Sequence, residues 1–421
     1  MTIRMGLFAL LSAALAGQAS GQSAPPACVT LEDALRLSVL NSPEVNAAEA
    51  DRDRALADLT DARSISRPQL SAFARTQAGD EGLTGAGIEN TVGLRASQRL
   101  YDFGASRLDR EASESLVRAR TFAISSAQTR AALATAEAFI GLLEINARLD
   151  ITSEREVFFA RQLEATSRAL QIGGATRADV AEIAARSADA VGDRLELTFE
   201  RDRLSTALAT DLGESVSPCR SARLLADDDQ TSIVDSVNSA LGNNSELQVL
   251  TAEIDAQGAR LERAERNRLP AIELVGIASY AYDDRRNNWE FRDRIGVDIS
   301  VPLISGRALN AERRRASADL AGRRSERAAL RRELVEAVEV SSRRLMSLEA
   351  QLARRRAVAE RQAEQFNAAE IEFEAGLRTL PELVDDRLDL ENARLEAVAI
   401  EFELAREHVN LQALTGQLST K

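Results

Sequence analysis

Two stretches of this chain repeat each other at a fixed distance. Leu40-Asn41-Ser42-Pro43-Glu44-Val45 opens one segment and Gly242-Asn243-Asn244-Ser245-Glu246-Leu247 another, with Pro43 and Ser245 separated by 202 positions. Arg67-Pro68-Gln69-Leu70 and Leu269-Pro270-Ala271-Ile272 close those segments at the same shift. Ser97-Gln98-Arg99-Leu100-Tyr101-Asp102-Phe103-Gly104 corresponds to Ser300-Val301-Pro302-Leu303-Ile304-Ser305-Gly306, one residue shorter. Further on, Gly173 to Val180 matches Gly376 to Leu383, so both copies read Gly-x-x-Thr-x-x-acid-aliphatic. A period this long is no solenoid repeat. The chain must fold as two copies of one domain-sized unit.

Each unit reads as helix, strand, strand, very long helix, turn, helix. Pro68 and Pro270 cannot donate within a helix and push their predecessors out of the α region, which ends each first helix at a defined point. Strands are expected at Gln69 to Gln77 and Thr91 to Leu100, and at Ile272 to Tyr282 and Arg294 to Leu303. In the last of these, Val297, Ile299 and Val301 alternate with Gly296, Asp298 and Ser300, one apolar and one wet face. About ten residues suits a tilted membrane strand. The connecting stretches, residues 79–90 and 283–293, are polar and read as loops. Tyr280, Tyr282, Trp289 and Phe291 gather around the second, where an aromatic belt at a membrane interface would lie.

From Gly104 to Gly173 and from Gly306 to Gly376 no proline intervenes. At about 1.5 Å per residue, roughly 70 residues make a helix on the order of 100 Å long. Leu345, Leu348, Leu352, Ala359 and Phe366 follow spacings of three, four and seven, a coiled-coil seam. Composition agrees: aromatics are 4% and charged residues 28% of the chain, a usage that suits long helices. Such helices cannot enclose a compact core; they pack side by side or around a lumen.

The opening stretch MTIRMGLFALLSAALAGQASGQ reads as a secretory signal. The chain therefore divides into a signal segment over 1–22, a first repeat over 23–213, a linker over 214–230, a second repeat over 231–416 and a tail over 417–421. After the signal, no apolar run reaches about 18 residues, so passage through a membrane must use strands. Four strands cannot close a barrel alone. In an oxidising compartment Cys28 and Cys219 either form a disulfide or remain two small unpaired residues, and the sequence leaves both readings open. The net charge of -13, with arginines interleaved among more numerous acids, carries no nucleic-acid footprint. His408 stands alone, on what reads as a helix surface. No nucleophile-base arrangement, metal-ligand spacing or cofactor motif appears, so no enzyme is indicated.

The duplicated helix starts, the Arg-Pro-Gln-Leu and Leu-Pro-Ala-Ile junctions, Gln98 to Gly104 with Val301 to Gly306, and the two glycine-threonine turns together resemble the TolC family of outer membrane export factors. The likeness covers about residues 30 to 416. It implies an α+β membrane protein, internally duplicated. Three chains, each giving four strands, would form a homotrimeric 12-stranded β-barrel in the outer membrane lipid of a Gram-negative bacterium. A long coiled-coil α-helical tunnel would continue it into the periplasm. It also implies a periplasmic membrane fusion adaptor and an inner membrane ABC or proton-driven pump as partners. The expected function is a passive duct for proteins or small toxic compounds, used in type I secretion or multidrug efflux. A periplasmic coiled-coil scaffold without a pore is the alternative.

Local chemistry gives the tip turns a simpler role. Thr176 with Asp179, and Thr379 with Glu382, have the spacing of helix capping boxes, and Pro381 fits a first helical turn. The resemblance adds that Gly173, Thr176, Gly376 and Thr379 lie in the tip turns and that Glu382 and Asp385 ring a cation-attracting aperture. It further implies that Arg378 and Asp179 act as a closed-state latch between neighbouring coils, opened by partner binding. Phe373 stands where the family often has a tyrosine, which would weaken that latch. Asp386 has no counterpart in the family pattern and is expected to be solvated surface.

Overall fold

The computed structural model describes residues 28–80, 86–219, 232–283, 288–302 and 307–418, so the expected signal segment, most of the linker and the last tail residues lie outside the described residues. The first repeat runs α1 (Leu31–Asn41), α2 (Pro43–Ser64), β1 (Gln69–Asp80), β2 (Ala86–Tyr101), α3 (Ala105–Gln171) and α4 (Arg177–Leu212). The second runs α5 (Ile233–Asn243), α6 (Ser245–Arg266), β3 (Ala271–Asp283), β4 (Asn288–Ser300), α7 (Ala308–Glu374) and α8 (Leu380–Leu414).

Each repeat begins with a short helix that sequence reading did not separate from the next. The break has a local cause. Ser42 leaves the helical region and its hydroxyl accepts from the Val45 N–H, while Pro43 takes the first turn of α2, where a missing N–H costs nothing. Asn244 does the same for α6 through its side-chain oxygen and the Leu247 N–H at 3.1 Å. The polar stretches 79–90 and 283–293 are also corrected in part, because strand pairing continues through 86–90 and 288–293. Cross-strand partners such as Tyr282 with Trp289 favour an extended hairpin over an open loop. At its other end β4 stops at Ser300, short of the expected Leu303.

The four strands form one antiparallel sheet in the order β1-β2-β3-β4, so the two hairpins of the duplication pair with each other inside the chain. β2 and β3 shift register between Arg99 and Tyr101, a β-bulge. The first copy carries its one extra residue in this same stretch.

Helices α3 and α7 are both 67 residues long, about 100 Å each. Each folds back against its partner, α3 on α4 and α7 on α8, and α3 also packs along α8. The core is a string of clusters along these seams. Phe139, Ile140, Leu143, Leu208 and Leu212 fill one with Phe402. Leu345, Leu348, Leu352 and Leu404 fill another, and Phe158, Phe159, Ile183, Phe366, Leu383 and Val384 a third, nearer the turns. Of the expected seam, Leu345, Leu348, Leu352 and Phe366 are buried and Ala359 is half-buried. His408 is half-buried as well, not fully on the surface.

A disulfide joins Cys28 to Cys219. Beside it the Val29 N–H donates to Ser217 O at 2.9 Å and the Cys219 N–H to Val29 O at 3.0 Å. Together they fasten the start of the first repeat to the strand-like segment after α4.

Candidate functional site

The long hairpins end in two turns built alike. At the end of α3, Gly173 adopts φ +79° and its N–H donates to Leu170 O, while the Gly174 N–H reaches Ala169 O. At the end of α7, Gly376 adopts φ +72°, its N–H donates to Phe373 O and the Leu377 N–H to Glu372 O. These are paired helix-terminating bonds of the Schellman kind, and the left-handed position suits glycine because no Cβ is strained there. Thr176 then caps α4: its N–H donates to Asp179 Oδ2 at 2.8 Å and its hydroxyl oxygen accepts from the Asp179 N–H at 3.2 Å. In the second turn the Thr379 N–H and hydroxyl donate to Glu382 Oε2 at 2.8 and 2.7 Å, with Pro381 in the first turn of α8.

Capping therefore engages both acids. The backbone N–H of Thr379, then its hydroxyl, holds the Glu382 carboxyl below the usual carboxylate range. Glu382 and Asp385 are both exposed beside the turn. A group kept ionised and facing outward can contribute to a ring of charge if copies of the chain surround an axis.

Asp386 is the correction. It is only 5% exposed, not solvated surface. Arg378 Nη2 lies 2.7 Å from its Oδ2, and Gln365 Nε2 donates to its Oδ1 at 2.6 Å. Arg378 also donates through Nη1 to Glu372 Oε2 at 3.0 Å. A buried carboxylate needs such partners, since desolvation without them is costly. Within one chain Arg378 thus spans the turn from α7 to α8, while Asp179 is occupied with its own cap; no bond joins the two among the described residues. The duplication held a signal for this burial, because Asp386 aligns with Ile183, 1% exposed in the first repeat.

Below the turns a layer of buried charge links the two hairpins. The Arg387 guanidinium lies over the Phe158 and Phe366 rings, 5.6 and 5.5 Å from their centroids. Arg155 of α3 pairs with Asp193 of α4 and, at 3.2 Å, with Glu391 of α8. Burial pushes the Glu391 carboxyl up against the opposing pull of Arg155 and Arg387, and burial pushes Arg387 down.

The sheet presents two unlike faces. Register places Leu70, Ala72, Val92, Leu94, Ile272, Leu274, Ile295, Val297 and Ile299 on one, interrupted by Asp293. At its outer end, Tyr280 packs at a tilt against Phe291 and Tyr282 against Trp289, ring centroids 5.2 and 5.4 Å apart. At the helix end Tyr101 meets Phe103 at 4.7 Å, a second aromatic group that sequence reading missed. From the Tyr101 and Ile272 pair to Tyr282 a strand climbs ~34 Å, and tilted by ~40° it stands ~25 Å tall, the height of a membrane band. The opposite face is concave, with a cavity of about 620 Å³ lined among others by Ser71, Phe73, Arg75, Arg95, Ser279 and Arg294. Gly93 faces it, where a Cβ would come within 2.6 Å of the Ser279 Cβ.

Known proteins share this arrangement. The profile of the family described as outer membrane efflux protein matches twice, over residues 34–214 and 236–417. The outer membrane protein TolC of Salmonella enteritidis is 23% identical over 398 residues, spanning 90% of this chain and 80% of that protein. The outer membrane efflux protein BepC of Brucella suis is 23% identical over 401 residues, 93% and 86% of the two chains. The CmeC outer membrane channel of Campylobacter jejuni superposes with a TM-score of 0.82 at 14% identity, covering 98% of this chain and 94% of that one.

Proposed function

The chain belongs to the outer membrane efflux protein family, and from that premise we propose that it is the outer membrane duct of a tripartite exporter. Three copies close a twelve-stranded barrel, and their helices continue it as a periplasmic tunnel. The observation that carries this reading is the open sheet. Its edges β1 and β4 have no strand neighbour among the described residues, and its outward face is largely apolar, apart from Asp293 and Gln98, for ~25 Å between two aromatic groups. Joining β4 of one copy to β1 of the next satisfies both edges and encloses the concave face. Lipid then covers the apolar face.

At the other end, Glu382 and Asp385 from three copies surround the axis as a cation-attracting aperture. Arg378 and Asp179 belong to the latch that holds the tips together, with Asp386 as the in-chain anchor of Arg378. Opening is the work of a periplasmic membrane fusion adaptor coupled to an inner membrane ABC or proton-driven pump. Two exposed apolar side chains at the turns, Ile172 at 86% and Leu377 at 81% exposure, support a docking role for the tips.

Single-channel conductance in a planar bilayer tests the reading. The parent should give a small, cation-favouring conductance and Arg378→Glu a larger one. Failure of the protein to enter the membrane fraction or the bilayer at all would refute the duct.

A further inference from the structure

The middle of the sheet's concave face is basic in a chain that is acidic overall, whereas the row nearest the hairpin ends sets Gln77, Glu89, Asp283 and Asn288 side by side. Register places Ser71, Arg95, Ile277 and Arg294 in one row across it. The next row is Phe73, Gly93, Ser279 and Arg292, and the one beyond it Arg75, Thr91, Ala281 and Glu290. Four arginines thus fall in three adjacent rows. Arg75, Arg95, Arg292 and Arg294 are all exposed into the concavity. Glu290 pairs with Arg292 at 3.4 Å, whereas Arg95 and Arg294 have no salt bridge among the described residues. Nearer the helices the sign evens out: Arg99 meets Glu273 at 3.2 Å, and Asp298 stands opposite Glu273.

We propose that this mid-barrel face is a binding station for solutes carrying clustered carboxylate or phosphate groups. The inference rests on the duct reading, which turns the concave face into a lumen. Closure brings three copies of each arginine around one water-filled axis with low-dielectric walls, which concentrates their field on whatever passes. Guanidinium groups suit such ligands because their planar donors match carboxylate and phosphate oxygens in pairs. Gly93 and Ser279 keep the wall between the arginine rows thin, which leaves room for a ligand against it. The duct is then acidic at the tip and basic at mid-barrel. An anion reaches the station more readily from the barrel side than past the aperture.

The test uses the purified full-length trimer and inorganic tripolyphosphate. In calorimetric titration at about 0.05 M salt the parent should bind it, more weakly as salt rises. Arg95→Gln with Arg294→Gln should weaken binding about tenfold. In planar bilayers the anion should block the parent at lower concentration from the barrel chamber than from the tip chamber, which separates an external source from cargo in transit. Trp289, the only tryptophan and on the lipid face, reports by its emission that each variant has formed its barrel. Arg75→Gln alone gives a milder second variant. No calorimetric binding in the parent, or equal binding in folded parent and double variant, overturns the station even if the channel conducts. Calorimetric binding by a protein that fails to enter the bilayer upholds an anion site on the concave face but refutes the duct, and with it the station as a place in the lumen.

Discussion

Arg378 and Asp386 are paired inside one chain, Nη2 to Oδ2 at 2.7 Å, across the turn that joins α7 to α8. The pair ties the tip of one long helix to the first turns of the next. Removing one partner of a buried pair costs about 3 kcal/mol, somewhat less here because Arg378 is one-quarter exposed.

Arg378→Glu should therefore loosen the tip and raise conductance. Two double variants divide the possible partners. If adding Asp386→Arg restores the closed conductance, the in-chain pair sets the tip; if adding Asp179→Arg restores it, the contact between coils does. Restoration by neither would remove Arg378 from the gate.

Glu382 predicts a pH response of definite sign. Its folded carboxyl is held down by the Thr379 N–H and hydroxyl, so its charge and its contribution to stability are present above the ordinary value of 4.5 and are lost as pH falls through the lowered one. Cation preference should persist as pH is brought down to about 4.5 and fade only below it. Glu382→Gln should weaken that preference at neutral pH. Unchanged reversal potentials in the variant would take Glu382 out of the aperture.

Glu391 predicts the opposite slope. Burial raises its folded pKa above 4.5, so the penalty for its charge is absent below 4.5 and grows as pH rises through 4.5 to the raised value. Compared with Glu391→Gln, the parent should lose thermal stability over that rise. Melting curves of the two proteins across the range are the measurement, and a difference that does not change with pH would show that the charge of Glu391 carries no such penalty.

Gly93 predicts an assembly defect. A Cβ at that position meets Ser279 at 2.6 Å and the Ala278 carbonyl oxygen at 2.7 Å, contacts that only a shift of the β2 and β3 ladder can relieve, at about 1–3 kcal/mol or more. Gly93→Ala should lower the yield of heat-resistant trimers, whereas Gly276→Ala, with open space around it, should not. Equal trimer yields would mean that the sheet absorbs the extra methyl.

Much of the fold could be read from the sequence because the duplication let two weak signals check each other. Pro68 and Pro270 mark both helix-to-strand junctions, and the glycines near 104, 173 and 376 bound both long helices to within a few residues. Strand ends were harder, since polar residues such as Asn288 and Glu290 pair in a hairpin as well as they populate a loop. Asp386 escaped because a carboxylate reads as surface unless its partners are known, and Arg378 and Gln365 reach it only through the turn and across the hairpin. The arginine rows were hidden for a related reason: Arg75, Arg95, Arg292 and Arg294 lie on three strands, and only register sets them side by side.

The bond between Cys28 and Cys219 closes a loop across a sequence separation of 191, including both strands of the first hairpin and the whole of α3 and α4. Along that span the chain has two covalent routes between any two points. A single cut between β1 and β2, or in the turn between α3 and α4, leaves one molecule, with its halves still held by the sulfur bridge and by packing. A cut between β3 and β4 has no such second route and yields two molecules. Under periplasmic or extracellular proteolysis the first half of the chain keeps its covalent continuity after one nick, whereas the second half is then held by pairing and packing alone.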